Sequence, residues 1–164
     1  MQRNMRKQTC CFTGHRDIPQ DQKQEIRRRL EGTLRCLLEK GIRYFGSGGA
    51  RGFDLMAADV VLQLKKEFPH IRLIMVLPCR DQTRGWRGED IRHYERILTQ
   101  ADKVVYIQVK YSPGCMQKRN RHLVDHSSVC VAYCTRNTGG SAYTVRYAGE
   151  KAVKIIRVNE NTIF

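Results

Sequence analysis

The sequence predicts an α/β protein, a three-layer, Rossmann-like, doubly wound sheet of about six mostly parallel strands. Three observations carry that expectation. Short apolar runs alternate with longer stretches of helical periodicity along the chain. The segments between successive runs are long enough to serve as crossovers, which parallel pairing requires. Residues 73–77, Leu-Ile-Met-Val-Leu, are apolar at every position, as in a strand covered on both faces. No repeat, low-complexity tract or Pro/Gly/Ser-rich linker interrupts the pattern, so residues 1–164 are expected to form one domain.

Thr9, Cys10, Cys11 and Phe12 read as the first strand, broken by Thr13-Gly14-His15-Arg16. Residues 21–40 carry Ile26, Leu30, Leu34, Leu37 and Leu38 at the spacing of an amphipathic helix, and Gly41 is suited to end it. A second strand over 42–46 leads into Ser47-Gly48-Gly49-Ala50-Arg51-Gly52, and a helix over 54–67 is closed by Pro69. After the strand at 73–77 come a loop over 78–88 and a helix over 89–100. A fourth strand at 104–107, a helix at 117–124 and a fifth strand at 129–133 bring the chain to Thr138-Gly139-Gly140-Ser141, which opens a helix reaching Lys151. A sixth strand over 154–158 completes the set.

Thirty Lys and Arg stand against sixteen Asp and Glu, a formal charge of +14. A charge of that size attracts polyanions and phosphorylated ligands but says nothing about fold. The 41% of hydrophobic residues suffice for a core, and no apolar run approaches the ~20 residues of a membrane helix. The basic start is followed by only three apolar residues, too few for a signal peptide. The seven cysteines are odd in number and include no CxxC pair. A cytoplasmic protein with reduced, buried thiols and no membrane partner is the expectation. His122, His126, Cys130 and Cys134 have a metal-like look, but the cysteines fall along a strand, ~13 Å apart. One tetrahedral zinc with ~2.3 Å bonds to sulfur does not bridge that distance, so no metal is expected.

In an open α/β sheet the ligand sits beyond the carboxyl ends of the strands. Three strand-to-helix loops there have unusual composition, at residues 13–16, 47–54 and 138–144. Glycine admits close approach of backbone N–H groups, and a helix N-terminus adds partial positive charge, so together they suit phosphate. Glycines that merely permit tight turns are the plain alternative. The candidate ligand-binding residues are Thr13, Gly14, His15 and Arg16 in the first loop and Ser47, Gly48, Gly49, Gly52 and Asp54 in the second. Gly139, Gly140, Ser141 and Thr144 come from the third, and Arg119 and Asn120 follow a loop at the same sheet edge.

Each of these has a functional and a plain reading. His15 and Arg16 either neutralise phosphate or lie in solvent. Asp54 either accepts a ribose hydroxyl or complements a helix dipole. Thr144 either donates its hydroxyl to a ligand or packs in the core, and Arg119 and Asn120 are candidates for contact with a base or ribose. Trp86 is read as an anchor for its helix rather than as a stacking platform. No Gly-Lys-Ser/Thr ending occurs, which excludes a Walker A loop. Arg51 stands where a GxGxxG motif begun at Gly46 needs its last glycine, and no acidic residue ends the strand at 73–77. An ordinary NAD dehydrogenase is disfavoured.

Taken together, Thr13-Gly14-His15-Arg16, the Gly-Gly-Ala-Arg-Gly-Phe-Asp run ending at Asp54, and Gly-Gly-Ser-Ala-Tyr-Thr-Val-Arg-Tyr-Ala from Gly139 resemble the YpsA/YoqJ-type branch of the SLOG superfamily. Trp86, Tyr94, Ala101-Asp102 and Arg119-Asn120 extend the match over nearly the whole chain. The resemblance implies a Rossmann-like bacterial protein that binds a nucleotide or a nucleotide-derived, ADP-ribose-like ligand. It supplies no defined reaction, so catalytic residues stay unknown. The superfamily also holds the DNA-processing protein DprA and the LOG-type phosphoribohydrolases. Aligned on Gly139-Gly140, the LOG pattern Gly-Gly-x-Gly-Thr-x-x-Glu meets Ala142 at its third glycine and Arg146 at its catalytic Glu. An arginine stays protonated and cannot act as a general base, and Glu150, one turn on, is a weak substitute.

The first expectation is therefore a nucleotide-binding domain with a sensing or regulatory role. An enzyme cleaving an N-glycosidic or phosphate linkage in the same pocket ranks second. Nucleic-acid binding ranks third: the charge favours it, but Arg27-Arg28-Arg29 reads as a solvated helix face and no basic stretch gathers aromatics for base stacking. Assembly into a homo-oligomer is left open.

Overall fold

β1 (Thr9–Gly14) is the hub of the sheet in the computed structural model, which describes residues 2–160. On one side it pairs with β2 (Tyr44–Ser47), beyond which lie β3 (Arg72–Leu77) and β4 (Lys103–Tyr106). On the other it pairs with β5 (Val129–Tyr133), followed by β6 (Lys154–Arg157). The order is β4-β3-β2-β1-β5-β6 and every pairing is parallel, so the mostly parallel sheet expected is a fully parallel one.

Alternation along each strand sorts side chains into two layers. Phe12, Phe45, Leu73, Met75 and Leu77 face α2 (Lys23–Glu39), α3 (Phe53–Glu67) and α4 (Gly88–Gln100) in the larger core. Cys11, Val76, Cys130 and Ala132 face α5 (Cys115–Asp125) and α6 (Gly140–Glu150) in two smaller clusters. The helical stripe read from the sequence is the buried one: Ile26, Leu30, Leu34, Leu37 and Leu38 lie inside. Gly41, at φ 97°, closes α2, donating to the Leu38 carbonyl while Ile42 reaches back to Leu37.

Two features depart from the pattern that periodicity predicts. β1 runs two residues beyond Phe12, because Thr13 and Gly14 stay in register with Ala132 and Tyr133 of β5. The basic start contains a short helix, α1 (Gln2–Lys7), which has no apolar stripe to announce it; the Thr9 hydroxyl donates to the Met5 carbonyl at its end. All seven cysteines are free thiols. Among the described residues no helix is long and apolar enough to cross a membrane.

Strands β2 to β4 succeed one another to one side of β1, whereas β5 and β6 lie on the other. The connections leaving β1 and β5 therefore diverge, and a crevice opens between their carboxyl ends.

Candidate functional site

That crevice holds a cavity of about 290 Å³. Thr13, Gly14, His15 and Arg16 border it from β1 and the loop after it, and Gly139, Gly140 and Ser141 from the start of α6. Asp54 reaches it from the first turn of α3, and Arg119 and Asn120 from α5. The fold thus brings Thr13 and Ser141 together from opposite ends of the chain. Asp17, Ala50, Met116, Arg136 and Thr138 line it as well, beyond the residues expected from the sequence. Arg136 was findable, as a cation in the loop preceding Gly139; Met116 carries no such signal.

Asp54 is the group around which the cavity is organised. It is 5% exposed, and its Oδ2 accepts a 3.4 Å hydrogen bond from the Ala50 N–H. Its Oδ1 is buried and has no partner. Burial pushes the carboxyl up to about 6, against the pull of the Arg119 guanidinium, the Ala50 N–H and Arg16. The Ser47 hydroxyl donates to the main-chain carbonyl of Asp54 over 2.9 Å and so fixes where α3 begins.

Arg119 is as deeply buried as Asp54. Its Nη1 donates to the Gly48 carbonyl and its Nε to Asn120 Oδ1 at 2.7 Å. Desolvation lowers its pKa, and the facing Asp54 carboxylate offsets part of that. Within the protein it is a clamp on the Gly48 carbonyl and a countercharge to Asp54. His15 is likewise engaged by the protein. Its Nε2 accepts the Thr135 N–H at 2.8 Å, which assigns the ring proton to Nδ1 and the ring a neutral state. Burial and then Arg136 lower its pKa, reinforcing that state. Of the two readings for His15 as a phosphate cation or a solvated side chain, neither describes it: it pins the β1 and β5 loops together, edge-on to Tyr133.

The second glycine loop departs most from expectation. Ser47, Gly48, Gly49 and Gly52 do not line the cavity. A Cβ at Gly48 would lie 2.7 Å from the Arg119 guanidinium, one at Gly49 2.7 Å from Leu77, and one at Gly52 would collide with the Arg16 carbonyl. The Gly49 N–H already donates to the Ser47 hydroxyl. Gly14, although it borders the cavity, is small to admit Phe53. These glycines let the protein approach itself. Gly139 and Gly140 differ: a Cβ on either meets nothing within 4 Å, and Gly139 holds φ 96°. Thr144 is buried one turn into α6, its hydroxyl donating to the Gly140 carbonyl at 2.9 Å, which is the packing alternative. Arg146 holds the Asn137 carbonyl, and Glu150 lies exposed at the far end of α6, away from the cavity.

A second cavity of about 390 Å³ adjoins the first, sharing Arg16, Ala50 and Met116 with it. Trp86 borders it while packing edge-on against Tyr94 of α4, at 5.5 Å between ring centres. Among the described residues the buried side-chain polar atoms without a partner are Asp54 Oδ1, Arg51 Nε and Gln82 Oε1, and all three belong to residues lining these two cavities. A larger hollow of about 420 Å³ lies elsewhere, over Ile74, Val76 and Val105 on the face that α5 only partly covers. It holds none of those atoms.

The YpsA family model, the YspA SLOG family, matches residues 10–160. The SPbeta prophage-derived protein YoqJ of Bacillus subtilis is 31% identical over 137 residues, which cover 76% of this chain and 80% of YoqJ. A UPF0398 protein of Brevibacillus brevis is 28% identical over 141 residues, 82% of this chain and 75% of its own. Among solved structures, DNA processing protein A of Helicobacter pylori, which binds single-stranded DNA, superposes with a TM-score of 0.67 at 19% identity over 95% of this chain. DprA of Streptococcus pneumoniae gives 0.69 at 17% identity over 93%. The present chain spans 66% and 50% of those two proteins, respectively.

Proposed function

This chain belongs to the YpsA family of SLOG proteins, and from that membership and the geometry of the crevice we propose that it binds a nucleotide or nucleotide-derived ligand in a sensing or regulatory role. The observation that carries the reading is Asp54 Oδ1, a buried carboxylate oxygen without a partner on a residue that lines the cavity. An acceptor so placed calls for a donor, and a ribose hydroxyl is one. The phosphate lies against the free N–H groups at the start of α6, with Gly139 and Gly140 leaving room for it and Arg16 and Arg136 supplying positive charge. A conjugate such as ADP-ribose offers the same hydroxyl and phosphate groups.

Isothermal titration against nucleoside mono-, di- and triphosphates and ADP-ribose tests this. Saturable binding is expected, weakened about 10- to 100-fold in Asp54→Ala, the loss of a hydrogen bond to a charged acceptor. Folded protein that binds nothing in the panel would sink the reading.

One observation favours an enzyme on the same site: a carboxyl held near 6 can exchange a proton at neutral pH, as cleavage of an N-glycosidic bond requires. Chromatography of nucleotides incubated with the protein decides it, turnover lost in Asp54→Ala being the supporting result. Nucleic-acid binding rests on the net charge and on the single-stranded DNA bound by the H. pylori structural relative, and is the weaker reading.

A further inference from the structure

We infer that the second cavity is a nucleobase subsite, with Gln82 and Arg51 reading one edge of the base; this rests on the first cavity holding ribose and phosphate. Gln82 is 6% exposed. Its Nε2 donates to the Gly48 carbonyl at 3.1 Å, and this fixes the orientation of the carboxamide, since a flipped group would set two oxygens against each other. Oε1 is therefore the end left without a partner, an acceptor buried at the cavity wall. Arg51 presents the complementary group: its Nε is a buried donor without a partner, while its guanidinium lies 5.5 Å over the ring of Trp86. One wall thus offers an acceptor, a donor and a flat cation-capped indole.

A nucleobase matches this set, because its edge carries N–H groups beside ring nitrogens or carbonyls and its faces are apolar. A second phosphate fits poorly, although Arg16 and Arg84 border the cavity. Phosphate oxygens only accept, so they would leave Gln82 Oε1 unsatisfied and place anionic oxygens near both it and Asp81. A bare sugar phosphate would fill the first cavity and leave the second open. Arg16, Ala50 and Met116 border both, so a single ligand can run from one to the other, with its ribose beside Asp54.

Trp86 is the only tryptophan in the chain, so its emission reports on this cavity alone. AMP, GMP, CMP, UMP and ribose 5-phosphate are titrated in turn, following emission and heat of binding together. At least one nucleotide is expected to shift the Trp86 emission saturably and to bind about tenfold more tightly than ribose 5-phosphate, which leaves the emission unchanged. In Gln82→Leu, that nucleotide falls to the affinity of ribose 5-phosphate, whose own binding is unaltered and shows the variant to be folded. Nucleotides and ribose 5-phosphate binding equally, with silent emission and no effect of Gln82→Leu, would overturn the base subsite and leave the first cavity's reading standing. No binding by any of the five overturns the base subsite, and silence of the nucleoside di- and triphosphates and ADP-ribose as well overturns the first cavity's reading. A second phosphate in the cavity would show as ADP gaining affinity over AMP with no discrimination against base-free pyrophosphate, and that result also overturns the proposal.

Discussion

Asp54 ties stability to binding through one proton. Its carboxyl is raised in the folded protein from 3.8 to about 6, so the folded state holds a proton that the unfolded state has lost, and stability falls as pH rises through that window. The shift corresponds to about 3 kcal/mol at neutral pH. Asp54→Asn is expected to melt higher than wild type at pH 7 to 8 and to lose the slope between about pH 4 and 6, as thermal melts across pH will show. The acid that weakens the empty protein is thus the one proposed to grip the ligand. Asp54 stood out in the sequence because it closes a glycine-rich loop at the first turn of a helix, although an acid that only complements the helix dipole has the same signature. The roles of the glycines around it were not legible. Gly48, Gly49 and Gly52 look in sequence like Gly139 and Gly140, yet the former make room for Arg119, Leu77 and the Arg16 carbonyl, whereas a Cβ on either of the latter meets nothing within 4 Å. A one-dimensional pattern shows that a Cβ is unwanted but not what would meet it.

At the scale of elements, α6 supplies the exposed half of the candidate site, and Asp54 of α3 with Arg119 of α5 the buried half. Gly140 is helical, faces open space and has no left-handed φ, so Gly140→Ala is accommodated without strain. Its methyl projects where the phosphate is placed. The expected result is an unchanged or slightly higher melting temperature with nucleotide affinity reduced at least tenfold. A variant that binds as wild type would move the phosphate elsewhere. The twelve described elements show how far periodicity reaches. The apolar runs and amphipathic stripes located eleven of them with ends displaced by up to two residues, because buried strands and one-sided helices leave regular patterns. α1 escaped, since five polar and basic residues around a lone Met5 carry no stripe. The strand order escaped as well: β5 crosses to the far side of β1 through contacts between residues such as Cys11 and Cys130 that no local pattern records.

For the molecule as a whole, the +14 charge draws anions without choosing among them. The arginines of α2 contribute little to that surplus, because Arg28 and Arg29 share Glu25 and Arg35 bridges Glu31 and Glu67, carboxylates already counted in the net figure. Mobility shifts with a single-stranded oligonucleotide are expected to weaken at least tenfold between 50 and 200 mM salt, whereas nucleotide affinity, set by partly enclosed hydrogen bonds, changes by less than about threefold. Equal salt dependence would mean that both reside on the open surface. The Gly48 carbonyl carries a different consequence. Arg119, beside the first cavity, and Gln82, beside the second, both hang from that single oxygen. The peptide after Gly48 is thus held from two sides, and whichever donor remains still fixes its orientation when the other is substituted.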